Sequence, residues 1–231
     1  MMKTKKRMEI DRKAAESGQH IMRILTHWTE GTEIPRMGVL CIGANSADDL
    51  LRKPEHEGVS DLVHASMTLL GSTFLSAWAI SKPRVETMNA DFRRRRKIGL
   101  EFSGSLFDSS GRSVLSQLDY LPSIVIFLTH GSHGSSPYLE DEVGGGWITA
   151  RDAASELASL PGSNLLVVLP CCYASTVSKP FVENDRIGSV YAPLDEEIGD
   201  REFASMLRSL GDEIRKLDIF TISKEARNAE A

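Results

Sequence analysis

Ile124 to Leu128 and Leu165 to Leu169 are unbroken apolar runs, and Met37 to Gly43 (MGVLCIG) is a third that ends in glycine. Each is strand-sized. A strand with one wet face alternates apolar and polar residues, whereas an unbroken run needs cover on both faces. That is the condition of a parallel sheet enclosed by helices. Between the runs the period changes. Ser60 to Leu70 repeats at helical spacing through Leu62, Val63, Met67 and Leu70, and Gly71 closes it. Thr149 to Leu160 reads as a helix with Thr149 as N-cap, Asp152 three residues on, and Pro161-Gly162 as its stop. Asp200 to Leu217 reads as a closing helix, Ser72 to Ile80 as a second strand, and Ile187 to Ala192 as a weaker fifth. A helix over 84–97 and a hairpin near Asp108 to Gly111 complete the pattern. The alternation predicts an α/β fold, a three-layer α-β-α sandwich with a mostly parallel central sheet. Ligands of such sheets bind beyond the carboxyl ends of the strands.

The division along the chain is uneven. Residues 1–34 read as a polar lead and an amphipathic helix built on Ile21, Ile24, Leu25 and Trp28. Residues 35–220 form the main domain and 221–231 a tail. No apolar run approaches the roughly 18–20 residues that cross a bilayer, so no membrane partner is expected. The basic start, Met1 to Arg7, is followed by charged and polar residues rather than the apolar core of a secretory signal. Three cysteines, Cys41, Cys171 and Cys172, make an odd count with two adjacent. That is a poor disulfide framework and points to a reducing, cytoplasmic setting. It also argues against structural zinc, and nothing calls for another metal or a cofactor. A net charge of −5 argues against a general nucleic-acid binder. Arg93 to Lys97 (RRRRK) reads as a solvated helix face. The Gly144-Gly-Gly146 run lacks the Gly-Lys-Ser/Thr of a phosphate loop and reads as a loop near the cleft.

Two segments carry reactive groups in one design. Ile124-Val-Ile-Phe-Leu-Thr-His130-Gly-Ser-His-Gly134 and Leu165-Leu-Val-Val-Leu-Pro-Cys171-Cys172-Tyr-Ala-Ser175 are each an apolar strand running straight into chemistry. Neighbouring strand ends lie only about 4.8 Å apart, so His130 and Cys172 can face each other across two such ends. A free thiol is a few per cent thiolate at neutral pH, and an adjacent imidazole activates it. The same imidazole can then protonate the leaving amine. Acyl transfer also needs donors for the oxyanion, and the Gly131 and Cys172 amides are placed to serve. Cys171, as the strand neighbour of Cys172, is expected to point into the core. His133 competes with His130 for the catalytic role. Counting from the strand favours His130 and leaves His133 in the loop.

These stretches resemble the caspase and metacaspase group of cysteine peptidases. Thr129, His130, Gly131 and Gly134 fall where that group has Ser-His-Gly-x-x-Gly. Pro170-Cys171-Cys172-Tyr173-Ala174-Ser175 is similar to the metacaspase Asp-Cys-Cys-His-Ser. The separation of His130 and Cys172 is close to the roughly 50 residues of caspases. Met37 to Gly43, Gly58-Val-Ser-Asp61, Leu69-Leu-Gly71, Val190-Tyr-Ala192 and Gly199 to Leu207 extend the resemblance over about residues 36–217. It implies a cysteine endopeptidase that acts on polypeptides through a thioester. Members often pair through their last strand, which would make a homodimer, although the sequence gives no independent sign of one.

Specificity does not carry over. Proline stands at 170, where metacaspases have an acidic residue and caspases a glutamine. Arg52 resembles the loop arginine of caspases, and a solvated loop charge is its competing reading. Asp195, Glu196 and Glu197 follow the presumed substrate strand and suit a basic side chain, or form a plain acidic loop. Pro170 and Tyr173 also motivate an alternative, a catalytically silent domain acting as adaptor. A plain doubly wound binding domain with a buried cysteine pair is a third reading.

Overall fold

The computed structural model describes residues 2–30, 37–52, 58–80, 98–134, 136–141, 146–161 and 164–217. The apolar runs become the middle of a parallel sheet. Its strands are β1 (Met37–Ile42), β2 (Gly99–Ser103), β3 (Leu121–Phe127), β7 (Leu166–Val168) and β8 (Ser189–Tyr191). They lie in the order β2-β1-β3-β7-β8, and every pairing is parallel. A second, antiparallel sheet of β4 (Gly131–Ser132), β5 (Tyr138–Asp141) and β6 (Gly146–Thr149) follows β3 directly.

Side chains alternate across the large sheet and sort the helices into two layers. Val39, Cys41, Ile124, Ile126, Val168 and Tyr191 pack with α1 (Met2–Glu30), α3 (Val59–Ile80) and α6 (Asp200–Lys216). Leu40, Ile42, Val125, Phe127, Val167 and Leu169 pack with α4 (Ala150–Ala158) and α5 (Ala174–Val182). The short α2 (Ala47–Arg52) follows β1. The fold is therefore α/β, with helices on both faces of a parallel sheet, as the unbroken runs require.

Thr149 caps α4 as expected, its hydroxyl oxygen accepting from the Asp152 N–H at 3.0 Å. The hairpin expected near Asp108 to Gly111 is reduced to a turn closed by a single antiparallel bridge, Phe107 to Ser113. There the Asp108 carboxylate accepts from the Ser110 and Arg112 amides, each at 2.9 Å.

Ser72 to Ile80 is not a strand. It continues α3, with Gly71 inside the helix. A short apolar run has no period that separates a strand from a helix buried in a layer. The second strand is instead Gly99–Ser103, a sheet edge whose exposed Leu100 and Glu101 break any apolar run. The helix expected over 84–97, the Arg93 to Lys97 run within it and the 221–231 tail lie outside the described residues.

The segment read as a polar lead is part of α1, and α1 packs into the main core rather than standing apart. Ile10, Ala14, Ile21 and Leu25 are buried against the sheet layer. Lys13 Nζ also donates to the Ala192 carbonyl beyond β8 at 3.0 Å. Tyr191 ties the same end of β8 to α6, its buried hydroxyl donating to the Met206 carbonyl at 2.9 Å. Tyr191→Phe removes that bond without changing the ring. The expected cost is about 1 kcal/mol, measured as a lower urea midpoint at unchanged m-value.

Candidate active site

The β3–β7 register places the two reactive segments. Ile126 pairs with Val168, so His130 and Cys172 each lie four residues beyond a paired position on adjacent strands. Phe127 holds the two segments from below. Its ring meets Phe181 of α5, the helix that follows Cys172, edge to face at 5.9 Å.

Past β3 the chain enters β4, and Gly131 packs on the cysteine turn. A Cβ at Gly131 would overlap the Cys172 carbonyl oxygen and lie 2.9 Å from Cys171 Sγ. Only glycine fits this approach. In an antiparallel ladder, hydrogen-bonded and non-bonded pairs alternate. The Glu140 amide donates to the His130 carbonyl at 2.9 Å, so the next pair, Gly131 opposite Leu139, is non-bonded. The Gly131 N–H is therefore turned away from β5 and is not consumed by the ladder. The His130 side chain is exposed.

Cys172 stands in a strand-turn-helix bend between β7 and α5. The turn is completed by Tyr173, at φ 54° and ψ 34°, the one non-glycine residue with positive φ among the described residues. For an aromatic side chain that conformation costs about 1–2 kcal/mol, so the surroundings must hold it. The Tyr173 amide donates to the Glu196 carbonyl at 3.2 Å, and its hydroxyl donates to Glu197 Oε1 at 3.0 Å. Its ring also meets His133 edge to face at 4.2 Å. The 195–198 loop thus closes over the bend, and the Ile198 amide donates to Cys172 Sγ at 3.4 Å.

The two adjacent thiols are in opposite settings. Cys171 is 2 % exposed and packs in the core under α5, while Cys172 is half-buried. Burial pushes the Cys171 thiol up to about 12, and does the same to Cys41. Neither forms a reactive thiolate near neutral pH. The native chain is therefore expected to take up one iodoacetamide group at pH 8, on Cys172, and the denatured chain all three. Peptide mapping by mass spectrometry checks this.

No protein-family model, curated protein or solved structure matches this chain. What the site can do is set by its own geometry. A half-exposed thiol at a strand-to-helix bend, a histidine at the neighbouring strand end and an unconsumed glycine amide are the parts acyl transfer needs.

The remaining candidates separate. Arg52 is exposed at the end of α2, and no described contact joins it to the cysteine turn. Asp195 is exposed and accepts from the Thr176 hydroxyl at 3.5 Å. Glu196 is already paired within the chain, with Lys6 Nζ of α1 at 2.6 Å. His133 is exposed and rests on Tyr173. Lys6, Ile198 and the role of Glu197 under Tyr173 are site features that sequence reasoning missed. Lys6 belongs to a segment read as separate from the domain, and Ile198 acts through its backbone, which carries no residue-type signal. Among the described residues no group of three or more His, Cys, Asp or Glu could hold a metal ion, and no helix is long and apolar enough to cross a membrane.

Proposed function

We propose that the chain is a cysteine-type endopeptidase of the caspase- and metacaspase-like class. The observation that supports it most is the β3–β7 register, which carries His130 and Cys172 to adjacent strand ends with Gly131 packed on the cysteine turn. In this reading Cys172 Sγ attacks the peptide carbonyl and His130 takes the thiol proton. The C–N bond then breaks, His130 passes its proton to the leaving amine, and a thioester remains. Water, deprotonated by His130, cleaves the thioester and restores the thiol. The Gly131 and Cys172 amides hold the oxyanion in both steps. All of this chemistry uses side chains and backbone, so the proposal includes no cofactor. Three free cysteines fit a reducing, cytoplasmic setting.

Specificity in this reading rests on the 195–197 loop, although Glu196 can meet a basic substrate side chain only by releasing Lys6. Arg52 has no described link to the site. Hydrolysis of a mixed fluorogenic peptide library by the wild-type chain tests the proposal, with the Cys172→Ala chain as reference. Binding of peptides without turnover would favour the silent, partner-binding alternative.

A further inference from the structure

A cavity of about 610 Å³ lies on the far side of the His130 segment, beyond the carboxyl ends of β1 and β3. Its volume is that of a small-molecule site. Ile42, Leu106 and Phe127 give it apolar walls, and Glu140, Trp147 and Glu156 give it polar and aromatic ones. Cys172, Gly131 and the 195–198 loop do not line it. A peptide attacked at Cys172 has no need to enter.

The lining charge is one-sided. Glu140 of β5, Asp152 and Glu156 of α4 all line the cavity, and among the described residues no Lys, Arg or His does. Asp152 accepts from the Thr149 hydroxyl at 2.6 Å. Glu140 and Glu156 are half-buried and have no ion-pair partner among the described residues. Half-buried carboxylates beside apolar walls are poorly screened and attract positive charge. Thr129, also in the wall and 8 % exposed, has a hydroxyl with no hydrogen-bond partner among the described residues. A buried hydroxyl without a partner is costly, so this part of the wall carries an unmet polar group.

The lining fits an organic cation better than a metal ion. Among the described residues no cluster has the ligand number a metal ion needs, and apolar walls give no return to a hydrated ion. Trp147 is 57 % exposed, with its ring braced edge-on by Tyr138 at 6.0 Å. Such a ring offers a cation–π face.

We propose that this cavity binds a small organic dication, an aliphatic stem with ammonium or guanidinium ends that pair with Glu140 and Glu156. The site stands independently of the peptidase reading. An occupant would nonetheless be felt at His130, because Glu140 donates its amide to the His130 carbonyl at 2.9 Å.

Isothermal titration of the wild-type and Cys172→Ala chains with 1,5-diaminopentane and with agmatine tests it. Pentane-1,5-diol and calcium chloride are the comparisons. Saturable one-to-one binding of a dication is expected in both chains, with a change in Trp147 fluorescence and no binding of the diol. Glu140→Gln and Glu156→Gln should each weaken binding about tenfold or more, the loss of one charge-assisted hydrogen bond. If one glutamine variant fails to fold, the other, together with Trp147→Phe, carries the comparison. Equal binding of the diol, calcium binding in place of the diamine, unchanged affinity in the folded variants, or no binding of either dication at millimolar concentration would each overturn the proposal.

Discussion

Cys172→Ala is expected to lower peptide hydrolysis by on the order of 10⁴-fold or more, the usual loss when a covalent nucleophile is removed. The fold should survive. Cys172 is half-buried, and its sulfur's described contacts are with the Ile198 backbone. Cys171→Ala should do the opposite. That side chain is fully packed among core residues under α5, so its loss should lower the unfolding midpoint and leave kcat within a few-fold of wild type. Fluorogenic-peptide assays and thermal unfolding of both variants separate the two thiols. The contrast is informative because the residues are adjacent: a general disturbance of the turn would affect both alike.

Gly131→Ala carries the second large effect. The new methyl group would meet the Cys172 carbonyl oxygen, a backbone atom that cannot swing aside. Overpacking of this kind costs about 1–3 kcal/mol, and here the strain falls on the cysteine turn and on one proposed oxyanion donor. Activity should therefore fall well beyond what the lost stability explains, and mainly in kcat. Gly134→Ala is the matched control. Its nearest neighbour would be the Ser136 carbonyl oxygen at 3.5 Å, an ordinary contact, so neither stability nor activity should change much. Chemical denaturation and steady-state kinetics on both variants check this. If the domain is a silent partner-binding module, Gly131→Ala would lower stability with no activity to lose.

What was legible in the sequence follows from where the physics is local. Met37 to Gly43, Ile124 to Leu128 and Leu165 to Leu169 are covered on both faces, so burial alone wrote them as apolar runs. That His130 and Cys172 follow the ends of neighbouring strands was legible from two such runs ending alike, and the register of β3 on β7 supplies those neighbouring strands. The edge strand Gly99–Ser103 had no such signature because half its side chains face solvent. The run from Ser72 to Ile80 has its backbone in the continuation of α3, and an apolar run of that length carries no period that tells helix from strand. Backbone effects were the least legible. Nothing in the letter Tyr marks position 173 as left-handed, and nothing in Ile198 marks its amide as the group against Cys172 Sγ. The Lys6–Glu196 pair joins residues at opposite ends of the chain through the packing of α1. Pairings of that kind are fixed by tertiary structure and leave no local pattern.

The central claim is that Cys172 is a nucleophile made competent by His130. Incubation with a peptidyl fluoromethyl ketone, followed by intact-mass measurement and peptide mapping, tests it most directly. One covalent adduct on Cys172 is expected in the wild-type chain, with none on Cys41 or Cys171 and labelling largely lost in folded His130→Ala. An unlabelled wild-type chain, or equal labelling of Cys172 with and without His130, would contradict it.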